Sequence, residues 1–171
     1  MLAVGNLVDF WVLSLALRSL GLTTMAVRSV AAVGKALLPD VGCVVTSPNE
    51  AWPGLDEVCV ARGLRLYSVS LGGEAALDLD ATAHASGGHI LRTSGTTGAD
   101  KMVLMTSAID AVFLRRKVDV IGMSQDTVLG AFDFAPWTGA GYRWAASPWL
   151  VGGTTLSSTG ARPGRRCCAR D

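Results

Sequence analysis

Thr93-Ser94-Gly95-Thr96-Thr97-Gly98-Ala99-Asp100-Lys101 places four hydroxyl side chains, two glycines and a lysine within nine residues. Ile90-Leu91 precede it and Met102-Val103-Leu104-Met105 follow, so a polar loop joins two apolar strands. Glycines let a backbone turn sharply and bring its N–H groups close to an anion. Ser and Thr hydroxyls add donors, and a lysine adds a mobile positive charge. The stretch is built to hold a polyphosphate. It is not a Walker A loop, which needs glycine directly before the lysine and Ser or Thr directly after it. Asp100 and Met102 occupy those places.

The rest of the chain sets limits on what surrounds this loop. At 171 residues it is long enough for one domain with a sizeable core. Half of the residues are hydrophobic and 17% are charged, an apolar load suited to a piece of a larger α/β protein whose faces are covered. Net charge is +1, but residues 157–171 carry four arginines against one aspartate, a local +3. The remainder is therefore about −2, which leaves no basic footprint for nucleic acid. Asp9 and Arg18 interrupt the apolar residues 7–22, well short of the roughly 18 uninterrupted positions that a membrane span requires. No lysine or arginine precedes that stretch to make a secretory leader. A buried helix of a cytoplasmic protein is expected. Cys43 and Cys59 sit among apolar neighbours and read as core residues, and the adjacent Cys167-Cys168 has no metal-ligand spacing.

Strand and helix alternate along the chain. Asn6 can cap a helix over residues 7–20 that stops at Gly21, with Asp9 in its first turn and Ser14 and Arg18 forming a thin polar stripe. A strand at 23–27, a helix opened by Ser29, a strand at 41–45, a broken helix from Ser47-Pro48 to Arg62 and a strand at 64–69 follow. Strands separated by single helices imply a mostly parallel sheet with flanking helices. Residues 71–88 read as a linker or surface loop. Strands at 89–91 and 102–106 flank the phosphate loop, and Ser107 is expected to cap a helix to about Val120 whose Arg115, Arg116 and Lys117 form a solvated patch. A strand at 127–132, a turn at 136–141, a short helix at 142–150 and a final strand after Gly152-Gly153 complete the pattern.

The loop resembles the phosphate loop of the AMP-forming adenylating enzymes, the superfamily of acyl-CoA synthetases, luciferases and peptide-synthetase adenylation domains. Their signature reads T-S-G-[ST]-T-G-x-P-K-G, and Thr93, Ser94, Gly95, Thr96, Thr97, Gly98 and Lys101 match it. Asp100 stands where the family has proline, and Met102 where it has glycine. Weaker matches run in the same order on both sides: Asn6, Phe10, Leu15, Ala16, Leu17 and Gly21 before the loop, and Pro136, Trp137, Leu150, Gly152 and Gly153 after it. The resemblance covers residues 1–156 and implies part of the large N-terminal domain of these enzymes. It implies ATP as the bound nucleotide, with Mg2+ and coenzyme A as further requirements, and a carboxylic acid as substrate. Residues 93–98 and Lys101 would hold the β- and γ-phosphates. His84 and His89 are given structural rather than catalytic roles, and Trp137 and Tyr142 read as core before acyl-pocket residues.

The family's adenine and ribose motifs, its catalytic carboxylate, its hinge and its second catalytic lysine have no counterpart in this sequence. The expectation is a truncated ligase-like chain, inactive alone. A non-catalytic phosphate-binding module and one half of a split enzyme that needs a complementary chain are the alternatives. Residues 157–171 lack every large apolar side chain, as either a shifted reading frame or an ordinary basic, disordered tail would produce.

Overall fold

The computed structural model describes residues 1–35, 40–70, 86–93, 101–132 and 134–157. Strands β1 (Leu2–Ala3), β3 (Cys43–Thr46) and β4 (Arg65–Ser68) form a parallel sheet in the order β1-β3-β4. Strand β2 (Thr24–Met25) runs parallel to β5 (His89–Thr93), which pairs antiparallel with β6 (Lys101–Met105). Strands β7 (Val128–Ala131) and β8 (Thr154–Ser157) form a separate parallel pair. The helices are α1 (Leu7–Ser19), α2 (Val30–Gly34), α3 (Leu55–Ala61), α4 (Ser107–Ile121) and α5 (Gly139–Arg143), with a 3-10 turn at Pro148–Val151. Val27 N–H donates to the Leu2 carbonyl at 3.0 Å and ties the first two sheets together.

The mostly parallel α/β architecture is the one expected from alternation. Three small sheets replace the single sheet, and the phosphate-loop strands form an antiparallel hairpin. Residues 47–54 form turns and no helix. Glu50 is occupied elsewhere: its carboxylate accepts from the backbone N–H of Gly5 and, at 2.7 Å, of Asn6, which fixes the chain ahead of α1. The helix expected at 142–150 is broken because Pro148 cannot donate a backbone hydrogen bond; α5 stops at Arg143 and Pro148 opens the 3-10 turn. Of the expected linker, residues 71–85 lie outside the described residues, whereas Gly87 is packed. Its N–H donates to the Arg18 carbonyl at 2.8 Å, and a Cβ there would overlap the Leu22 carbonyl.

Helix α1 begins as its sequence dictates, with the Asn6 side chain accepting from Val8 and Asp9 N–H. It turns its polar stripe inward and leaves part of its apolar surface outside. Ser14 and Arg18, the polar stripe, are 0% and 7% exposed, while Val8, Val12 and Leu15 are 45–49% exposed. A helix that is apolar on nearly every face gives no hydrophobic direction, so its few polar contacts choose the face turned inward. Phe10, Trp11 and Leu13 pack with Leu2, Leu91, Met105 and Tyr142 in one core; Val27, Val33, Val44, Leu55 and Cys59 belong to a second.

Met102, Val103 and Leu104 on the edge strand β6, and Ile109, Val112, Phe113, Val120 and Ile121 on α4, are also 41–78% exposed. Apolar surface of this kind marks an interface or an aggregation liability. The isolated chain is therefore expected to bind ANS strongly and to self-associate on size exclusion. A dye-silent monomer that melts cooperatively would contradict that expectation.

Candidate functional site

The strands flanking the candidate loop pair over five positions, from His89↔Met105 at the root to Thr93↔Lys101 at the mouth. Thr93 and Lys101 are thus cross-strand partners, and Lys101 is exposed. Ser94, Gly95, Thr96, Thr97 and Gly98 lie outside the described residues, as does Asp100. The backbone therefore brings together the two ends of the predicted site, with the lysine at the mouth.

The root of the hairpin is held by a buried polar cluster. The Arg18 guanidinium donates from Nε to the Gly87 carbonyl at 3.1 Å and from Nη1 to the Tyr142 hydroxyl at 2.6 Å. Its Nη2 pairs with Asp110 Oδ2 at 3.0 Å, and the Tyr142 hydroxyl donates to the same oxygen. Thr106, rather than the expected Ser107, caps α4 by accepting from Ile109 N–H at 3.3 Å. That leaves the Ser107 hydroxyl to accept from Arg18 at 3.3 Å and to donate toward Gly87 at 3.2 Å. Burial first, and then the hydrogen bond to Asp110, push the Tyr142 phenol well above its ordinary pKa, so it remains a neutral donor.

His89 sits at 0% exposure, its Nδ1 2.8 Å from Thr24 Oγ1 and its ring stacked on Tyr142 with centroids 4.1 Å apart. Burial, and secondarily the charge of Arg18, lower its pKa to about 3, so the ring is neutral at ordinary pH. This is the structural histidine that the sequence suggested; His84 lies outside the described residues. Tyr142 is a core residue and Trp137 is half-buried against the same core. A cavity of about 490 Å³ beside the cluster is lined by Trp11, Leu15, Arg18, Asp110, Leu114 and Trp149 among others, and not by Lys101. Sequence reasoning missed the Arg18–Asp110–Tyr142 cluster. Its members are up to 124 residues apart and share no motif, and only an arginine in an apolar helix hinted at it. Among the described residues, no group of three or more His, Cys, Asp or Glu could hold a metal ion, and no helix is long and apolar enough to cross a membrane.

This arrangement is the fold of part of the large domain of the AMP-forming acyl-CoA synthetases and adenylation domains. ATP-bound MatB from Rhodopseudomonas palustris superposes with a TM-score of 0.69 at 20% identity, over 92% of this chain and 34% of that one. A malonyl-CoA ligase in a product complex with methylmalonyl-CoA and AMP gives 0.68 at 18% identity, over 91% of this chain and 34% of that one. The o-succinylbenzoate CoA synthetase of Bacillus subtilis gives 0.61 at 16%, over 92% of this chain and 33% of that one. The chain spans about a third of the length of these structures. No protein-family profile and no curated protein matches the sequence.

The lowered His89 pKa has a sign that can be checked. Between its folded value of about 3 and the ordinary 6.5, the unfolded chain binds the proton and the folded chain does not. Stability is complete above pH 6.5 and falls as the pH drops toward 3. The loss attributable to this ring is roughly 2 kcal/mol between pH 7 and pH 5. Urea midpoints at the two pH values should show it, and His89→Gln should remove that share.

Proposed function

We propose that this chain is the phosphate-loop portion of an AMP-forming acyl-CoA ligase-like protein, binding the polyphosphate of ATP on residues 93–101 without completing acyl transfer alone. The Thr93–Lys101 cross-strand pair carries the reading, because it sets a cation at the mouth of a Ser/Thr/Gly loop. The likeness of the fold to an ATP-bound ligase supports it. In the reaction so implied, a substrate carboxylate attacks the α-phosphorus of ATP and pyrophosphate leaves; coenzyme A then takes the acyl group. The share of this chain is to position and neutralise the departing pyrophosphate. Thr93, Ser94, Thr96 and Thr97 donate, Gly95 and Gly98 allow close approach of the backbone, and Lys101 meets the charge. Asp100 places a carboxylate beside those phosphates and weakens their binding. The acyl substrate, Mg2+ and coenzyme A are assigned to no described residue.

Lys101→Ala is expected to weaken ATP or pyrophosphate binding by about 1–3 kcal/mol, the scale of a lost charge-assisted contact. Asp100→Asn should strengthen it. Calorimetric titration of the three proteins decides, and unchanged affinity in Lys101→Ala would reduce the loop to an ordinary turn.

Adenylation also needs the α-phosphate and the carboxylate held in near-attack geometry, and groups that act as a unit do not keep proportional activity when separated. The purified chain should give no carboxylate-dependent exchange of labelled pyrophosphate into ATP with a panel of fatty and aromatic acids. Exchange above a Lys101→Ala control would show that a minimal adenylating site is complete in this chain.

A further inference from the structure

Residues of α1, α4, α5 and the 3-10 turn together line the cavity of about 490 Å³ beside the Arg18 cluster. That volume falls within the range of small-molecule sites, about 300–1,000 Å³. Leu15, Trp149 and Leu150 in its wall are 41–51% exposed, so the cavity opens to solvent. The rings of Trp11 and Trp149 meet edge to face in the wall, with centroids 5.7 Å apart, and Leu114 adds a further apolar surface.

The polar groups of the wall are unevenly used. Its serine hydroxyls already donate, Ser19 to the Ala16 carbonyl and Ser86 and Ser107 toward Gly87. Asp110 Oδ2 accepts from both Arg18 and Tyr142, whereas Asp110 Oδ1 is buried with no hydrogen-bond partner among the described residues. Arg143 spends Nη2 on the sulfur of Met105 at 2.8 Å, a weak acceptor, and its Nε is buried without a partner. Among the described residues three buried side-chain atoms lack a partner, and two of them belong to residues of this wall; the third is His89 Nε2. Buried polar atoms are ordinarily hydrogen-bonded, so one acceptor and one donor at a single cavity call for a common partner.

We propose that the cavity binds an uncharged aromatic amphiphile whose head both donates and accepts a hydrogen bond, as a primary carboxamide does. The amide N–H donates to Asp110 Oδ1, its carbonyl accepts from Arg143 Nε, and the ring lies against Trp11, Leu114 and Trp149. A turn about the terminal bonds of Asp110 and Arg143 brings the two buried atoms to the head. The wall carries both signs of charge, Asp110 against Arg18 and Arg143, so an anionic or a cationic head meets repulsion together with attraction. Lys101 is not in this wall, and the inference does not rest on the phosphate-loop reading.

The test is calorimetric titration of the full chain at neutral pH with three probes that share one ring: 1-naphthaleneacetamide, 1-naphthaleneacetate and 2-(1-naphthyl)ethylammonium. The amide is expected to bind once per chain and about tenfold more tightly than either ion, the scale of hydrogen bonds to charged groups. Arg143→Met should weaken the amide about tenfold. Ala111→Phe, a substitution at an exposed position of α4 that narrows the cavity, should abolish its binding while leaving the urea midpoint unchanged. Equal affinities for the three probes, the mark of partition onto exposed apolar surface, overturn the proposal. So do tighter binding of either ion, amide binding that survives Ala111→Phe, and no binding at all, which would leave the cavity to water. If Arg143→Met fails to fold, the order of the probes and the effect of Ala111→Phe still decide.

Discussion

Taking a guanidinium out of water costs several kcal/mol unless every donor finds an acceptor, and Arg18 is only 7% exposed. Its acceptors come from four places in the chain: the Gly87 carbonyl ahead of β5, Ser107 and Asp110 on α4, and Tyr142 on α5. Breaking such a pair from one side leaves an uncompensated buried charge, a penalty of about 3–5 kcal/mol. The Arg18 cluster therefore fixes which face of α1 turns inward and which segments meet there. Stacking of Tyr142 on His89, and the hydrogen bond from Trp11 Nε1 to the Gly141 carbonyl, extend the same junction into the core.

The hairpin inherits its position from that junction. His89 opens β5 inside the cluster, and its cross-strand partner Met105 is equally buried, so the root of the hairpin cannot slide. A slip of one residue would exchange the faces of the whole strand and carry Leu91 out of the core. Register then propagates outward through the backbone pairs and sets Lys101 opposite Thr93. Side-chain packing contributes little at that end, where residues 101–104 are exposed.

Much of this was legible in the sequence because the signals were local. Asn6 before an apolar run, Gly21 as a helix stop with positive φ, and apolar runs bounding a Gly/Ser/Thr loop each carry their own physics. The elements misjudged were those decided by distant partners. Glu50 turns from helix formation to bind Gly5 and Asn6, and Lys117 leaves the solvated face for Trp144. β1 is two residues long and carries no period. At the candidate site, the motif named the loop residues, while the cluster that supports them comes from single polar residues scattered through apolar helices.

The inward polar stripe of α1 also explains why apolar residues of that helix face outward. Polar groups that must be paired have the stronger claim on the interior, because an unpaired buried charge costs more than burying one aliphatic side chain gains, roughly 1.5–3 kcal/mol. Val8, Val12 and Leu15 are the residues displaced. Their stripe continues to Trp149 and Leu150, which share the cavity wall with Leu15 and are 41% and 51% exposed. The chain, which spans about a third of the length of these structural relatives, thus pairs a buried polar lock with an exposed apolar face of α1. The lock holds the root of the hairpin, and backbone pairing carries the register from there to the mouth.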